Sequence, residues 1–174
     1  MRRLLAAVGM IVLTALAPVP AGAGGQPSTD FECTYGVHLV VSPGIGPGVE
    51  DVRITSSGPG TLTCKGAWYG RSLTGAGTVM LEGEAVGTCD GSSIDAVLSM
   101  KHPVDGGTEM LLKLPFRGGR AGMNLYGVAT EPARPAMLQG TGTPDAGQDC
   151  RQVPITGLAA EGRAVFGPWV TIEP

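Results

Sequence analysis

The stretch Thr78-Val79-Met80-Leu81-Glu82-Gly83-Glu84-Ala85-Val86-Gly87-Thr88-Cys89 decides the fold. Val79, Leu81, Gly83, Ala85, Gly87 and Cys89 fall on one side, and Thr78, Met80, Glu82, Glu84, Val86 and Thr88 on the other. That period of two sends successive side chains to opposite faces of an extended chain, so the segment is one long strand. The same alternation puts Val52 and Ile54 on one face of Glu50 to Ser56, and Leu62, Cys64 and Trp68 on one face of Thr61 to Trp68. It recurs in Ile94 to Lys101, Thr108 to Leu114 and Gly122 to Ala129, and less regularly in Gly36 to Val41. Pro154 to Phe166 supplies a last strand. Turn chemistry separates these runs at Ser42-Pro43-Gly44, Gly58-Pro59-Gly60, Asp90-Gly91-Ser92, Asp105-Gly106-Gly107 and Gly118-Gly119, where glycine reaches backbone angles that other residues avoid. Beyond the N-terminal segment no window holds apolar residues at helical spacing without a Gly or Pro inside it. The pattern predicts an all-β, single-domain antiparallel β-sandwich or β-barrel of about eight to nine strands.

At the N-terminus, Met1-Arg2-Arg3, the apolar run Leu4 to Leu16 and Ala21-Gly22-Ala23 have the three parts of an export signal. The apolar run is shorter than the roughly 20 residues a helix needs to cross a bilayer, and no cysteine follows it to accept a lipid. The expected organisation is a signal peptide over 1–23, a loose leader over 24–30 and one β domain over 31–174. Arg2-Arg3 does not by itself mark the export route used by folded proteins, since a basic start is common to all such signals. Cleavage after Ala23 takes 23 of the 174 residues and leaves 10 basic against 15 acidic side chains, a net charge of −5. Such a balance argues against nucleic acid as a partner. With 29 glycines, 14 prolines, 43% hydrophobic and only 16% charged residues, the chain reads as folded and turn-rich rather than disordered. Thr130 to Asp149, with Pro132, Pro135 and Pro144, reads as a long excursion containing a short strand at Met137 to Thr141.

Cys33, Cys64, Cys89 and Cys150 all lie downstream of the signal, where an oxidising compartment pairs thiols. Four cysteines allow three pairings. We favour Cys33 with Cys64, which ties the N-terminus to a core strand, and Cys89 with Cys150, which staples the excursion back to the turn at Asp90. A zinc site is disfavoured because no Cys-x-x-Cys pair is present. The order Cys33, Ser42-Pro43-Gly44-Ile45, Gly60-Thr61-Leu62-Thr63-Cys64, Gly75 to Gly77 leading to Gly87-Thr88-Cys89, and Asp149-Cys150 before Pro154-Ile155-Thr156 resembles small secreted proteins of unknown function from high-GC Gram-positive bacteria. The resemblance spans most of the mature chain and implies a disulfide-bearing β domain outside the cytoplasm. It carries over no active site. Lys65 and the Trp68-Tyr69 pair depart from it, standing where small polar residues are expected.

No stretch forms a recognisable catalytic, metal, cofactor or nucleotide motif. Ser92 or Ser93, His102 and Asp90 or Asp105 are the nearest approach to a hydrolytic triad along the chain. They flank opposite ends of the strand Ile94 to Lys101, whose rise of roughly 3.3 Å per residue keeps them more than about 20 Å apart. His102 reads as a strand-end residue and His38 as a filler of a strand face. Glu82 and Glu84, about 7 Å apart on one side of a strand, would suit a carboxylate-dependent hydrolase but more simply solvate a face. Asp90, Asp105 and Asp145 to Asp149 lack the alternating ligands of a calcium loop. Arg117-Gly118-Gly119-Arg120 reads as a solvated hairpin tip rather than an anion site.

Trp68, Tyr69 and Trp169 are the candidate binding residues, since adjacent strand residues point to opposite faces and one of the first pair must leave the core. Several strands also carry apolar residues on both sides: Met80 and Val86 opposite Val79 and Leu81, Leu111 opposite Met110 and Leu112, and Tyr126 and Val128 opposite Met123 and Leu125. The expected function is that of an exported, non-catalytic β domain acting in surface binding or as an envelope component. Its partner would be a protein, a glycan or an apolar small molecule. The first alternative is a β-barrel carrier of an apolar small molecule, favoured by a cavity lined with Met80, Met100, Met110 or Met123. N-terminal sequencing of the protein recovered from outside its host cell is expected to begin at Gly24-Gly25; an intact Leu4 to Leu16 segment would remove the export reading.

Overall fold

The computed structural model describes residues 30–129 and 136–167. The export signal, leader residues 24–29, the stretch 130–135 and Trp169 lie outside the described residues. Ten strands follow one another: β1 Asp30–Ile45, β2 Glu50–Ser56, β3 Gly60–Trp68, β4 Arg71–Ser72, β5 Gly77–Gly87, β6 Gly91–Val104, β7 Thr108–Ala121, β8 Asn124–Ala129, β9 Ala136–Pro144 and β10 Ile155–Phe166. Every pairing between them is antiparallel, and β10 returns to β1, which closes the sheet into a barrel.

The barrel has eight staves, because β2 and β3 share one and β4 is a short hairpin arm on β3. Asp30 to Gly36 of β1 pair with β3, and Leu39 to Ser42 pair with β2. Between them the stave breaks, and the Ser57 N–H donates to the His38 carbonyl at 3.0 Å. Each stave otherwise neighbours the next in sequence, an up-and-down order that needs no crossover connection.

Closure fixes which side of every strand faces inward. The row Val41, Ile54, Gly83, Ala96, Phe116, Ala129, Ala136, Phe166 passes once round the barrel and re-enters β1 at Phe31, ten residues from where it left. A stagger of ten over eight staves corresponds to a strand tilt of about 40°. Parity then sends Val79, Leu81, Gly83 and Ala85 inward from β5, as the alternation over Thr78 to Cys89 requires. Inward rows elsewhere supply Leu39, Leu98, Met110, Leu112, Leu114 and Leu138, all buried. On the outward rows Met80 and Leu111 are 44% and 68% exposed. Apolar residues on both faces thus reflect one apolar interior and an outer wall open to solvent.

Aromatic rings need room inside so narrow a barrel, and glycine gives it. A Cβ on Gly127 would lie 2.2 Å from the Phe116 ring, and one on Gly162 would lie 2.7 Å from the Tyr35 hydroxyl. One barrel end is plugged by Phe31 stacked on Phe166, with centroids 4.2 Å apart, and by Trp68 edge-on to Phe31.

Two sequence expectations are corrected here. Gly118-Gly119 is not a hairpin tip: β7 runs through it to Ala121, and Arg120 is only 6% exposed. Ser42-Pro43-Gly44 lies within β1, where the register with β10 shifts between Val40 and Ile45. The strand expected at Met137 to Thr141 extends to Ala136–Pro144.

Both disulfides pair as the sequence reading favoured, Cys33–Cys64 between β1 and β3 and Cys89–Cys150 between the β5–β6 turn and the β9–β10 connection. They sit at opposite ends of the barrel. Their sequence separations of 31 and 61 residues give each about 4 kcal/mol on the chain-entropy account. Replacing Cys33 and Cys64 together by alanine is expected to lower unfolding free energy by about 3–4 kcal/mol in a urea titration; a change below about 1 kcal/mol would show that β1–β3 pairing alone holds this end.

Candidate functional site

The inward rows do not fill the barrel completely. A cavity of about 70 Å³ remains, walled mainly by aliphatic side chains that include Val37, Leu39, Val79, Leu98, Met100 and Leu138. Polar groups enter the wall from three inward positions: Tyr35, Ser92 and Arg120. Ser92 and Arg120 are register partners on β6 and β7, and Leu125 of β8 faces Arg120 from the other side. Burial pushes the Tyr35 hydroxyl pKa above its ordinary value.

Arg120 holds the barrel end that carries Cys89–Cys150. Its Nη1 donates to the Cys89 carbonyl at 3.1 Å and the Gly122 carbonyl at 2.7 Å, and its Nη2 donates to the Thr88 carbonyl at 2.6 Å. The guanidinium thereby ties the β5–β6 turn to the β7–β8 turn. Burial lowers its pKa, an effect opposed by the negative charge of Asp90.

Of the four methionines proposed for a cavity wall, Met100 alone lines this one. Met110 is fully buried in the packed core, whereas Met80 and Met123 are 44% and 45% exposed. His102 is fully buried too, near the aromatic plug. Its Nδ1–H donates to the Pro103 carbonyl at 2.8 Å, and its Nε2 accepts the Cys64 N–H at 3.3 Å. Both ring nitrogens are thus committed to backbone. Ser92 and His102 lie at opposite ends of β6, as the strand rise requires.

Trp68 packs against Phe31 and, edge-on at 4.7 Å, against Tyr69, which follows the end of β3 with φ of 48° and is 49% exposed. One ring thus joins the plug and its neighbour faces outward. Glu82 and Glu84 project from the outer wall of β5 into an open depression shared with Asp95 and Arg117. Ion pairs cross it and its margin: Arg53 with Glu82 at 2.6 Å, and Arg117 with Asp95 at 3.0 Å. Among the described residues no group of three His, Cys, Asp or Glu side chains is placed to hold a metal ion.

A further constellation joins residues far apart in the chain. His38 on the outer face of β1 has Ser57 Oγ 3.2 Å from Nδ1 and Asp145 Oδ1 2.9 Å from Nε2. The order of groups is that of a hydroxyl, a base and an orienting carboxylate. Nearby backbone donors are already spent, however, since the Ser57 N–H bonds the His38 carbonyl and the Asp145 N–H bonds the Gly157 carbonyl. Those two amides are therefore not available to an oxyanion. The cluster instead ties the β2–β3 break to the β9–β10 connection across β1.

The same connection is ordered by Asp149. Its Oδ1 accepts the backbone N–H groups of Gln152 at 2.7 Å and Val153 at 3.0 Å, which fixes the turn where Cys150 adopts φ of 67°. Comparison with family models, with curated proteins and with solved structures finds no match to this chain.

The Val153 and Gln152 N–H bonds hold the Asp149 carboxyl below its ordinary pKa. A depressed folded-state pKa stabilises the fold above the unfolded carboxylate value of about 3.9, and the contribution is lost as pH falls through the folded value. The difference in urea midpoint between the parent and Asp149→Asn is therefore expected to be constant above about pH 5 and to shrink at lower pH. A difference that grows on acidification would contradict this assignment.

Proposed function

We propose that this protein is an exported, non-catalytic carrier that holds a small, mostly apolar molecule inside its barrel. The observation that supports the reading is the residual cavity of about 70 Å³ inside a closed eight-staved wall. Barrels of this stave number are either just filled by side chains or hold one small ligand. The cavity is under half the roughly 150 Å³ in which an engineered apolar site binds benzene. A short linear chain therefore suits it better than a ring, and unbranched Met100 can shift to lengthen the space. The wall is apolar inside and carries Arg53, Glu82, Glu84, Asp95 and Arg117 outside, the reverse of a barrel that spans lipid with a polar lumen. Two disulfides are consistent with an oxidising compartment, and the N-terminal signal supports export.

A second reading keeps the partner on the outside, in surface binding or within the envelope. Exposed Tyr69, beside the aromatic plug, favours it as a place for a glycan or protein to stack.

Linear alcohols from butanol to decanol are expected to raise the melting temperature of the oxidised protein in proportion to the logarithm of their concentration. Ala160→Leu, which adds volume at the cavity wall between Val37 and Gly142, is expected to weaken that binding at least tenfold while costing about 1–3 kcal/mol of stability. Equal binding by Ala160→Leu would place the alcohol elsewhere and favour the outer surface.

A further inference from the structure

The cavity ends at a cation whose hydrogen bonding is incomplete. A guanidinium carries five N–H donors, and the carbonyls of Thr88, Cys89 and Gly122 occupy Nη1 and one position on Nη2. The Nε–H is buried and has no acceptor. Burial without a partner is costly for any polar group and more so for a charged one. None of the ion pairs among the described residues includes Arg120, so its charge is met by carbonyl dipoles and by the more distant Asp90. Three carbonyls account for the clamp between the two turns. They do not account for a donor left open on a side chain that lines an apolar cavity.

We propose that Arg120 is the head-group ligand of the barrel, and that its occupant is a short-chain monocarboxylate whose oxygen accepts the Nε–H while its hydrocarbon lies along Leu98 and Met100. This rests on the carrier reading above and gives it a ligand class. An anion is favoured over a neutral acceptor because it supplies both things the site lacks: an acceptor for the free N–H and a countercharge in a medium where charge-assisted bonds are strong. Ser92, next to Arg120 in the same inward row, offers a hydroxyl for the second carboxylate oxygen. At the opposite end of the barrel both nitrogens of His102 are bound to backbone, so that imidazole offers no competing cationic anchor.

The test titrates the oxidised mature protein with straight-chain carboxylates from butanoate to decanoate and with alcohols of matched length, followed by calorimetry. Carboxylates are expected to bind at least tenfold more tightly than the alcohols, and Arg120→Met, which keeps the hydrocarbon volume, is expected to bring carboxylate affinity down to that of the alcohols measured on the same variant. The Arg120 Nε–H resonance of the unaltered protein gives a second measurement that needs no variant; it is expected to shift on adding a carboxylate and not on adding an alcohol. Equal affinity for the two series, or an unshifted Nε–H at carboxylate saturation, overturns the head-group assignment and leaves the carrier intact. Binding of neither series overturns both.

Discussion

The antiparallel seam between β1 and β10 is the constraint on which the other features depend. Phe31 to Val40 pair residue for residue with Gly157 to Phe166, and that contact turns a meander with two loose edges into a ring with an inside. Once the ring exists, every strand must keep one face apolar along its length. A slip of one residue in any stave would expose its interior row and bury its outer one. The seam also fixes the stagger of ten residues, and with it the width that leaves a cavity of about 70 Å³ rather than an open channel. Glycine beneath Phe116 and Tyr35 is a consequence of the same narrowness.

Much of this was legible in local pattern, and what was not has identifiable causes. Alternation over Thr78 to Cys89 and over Glu50 to Ser56 predicts β5 and β2 closely, because period two is a property of each strand alone. Sandwich and barrel share that period, so closure has no signature in any single segment. Gly118-Gly119 misleads for a different reason. Paired glycines ordinarily mark a turn, but here a Cβ at Gly118 would lie 2.7 Å from the Phe116 ring, so the residue is small to make space rather than to bend the chain. That error hid the site as well. Continuing Met110, Leu112, Leu114 and Phe116 by two more steps of two brings Arg120 into the interior row, yet a charged residue beside a supposed turn reads as solvated. The contacts of His38 with Ser57 and Asp145 join positions separated by 19 and 107 residues and depend on register across several strands. No spacing rule would bring them together. Trp68 and Tyr69 divide between the plug and the outside, and the backbone turn at Tyr69 rather than strand alternation divides them.

The two barrel ends do different work. At one, stacked phenylalanines, Trp68 and a histidine bonded wholly to backbone form a rigid plug. At the other, order comes from polar bonds to loops: Arg120 to three carbonyls, Asp149 to two N–H groups, and a disulfide anchoring the β9–β10 connection.

The pairing of the cysteines bears on how the chain acquires this shape. Bonds from 33 to 64 and from 89 to 150 enclose loops that neither overlap nor interlace. A polypeptide delivered from its N-terminus meets its correct sulfur partner each time in simple order of arrival, first with second and third with fourth. An oxidant that joins whichever two thiols are currently present makes the native set without later reshuffling, and the meander order of the staves lets each new strand dock on the one before it.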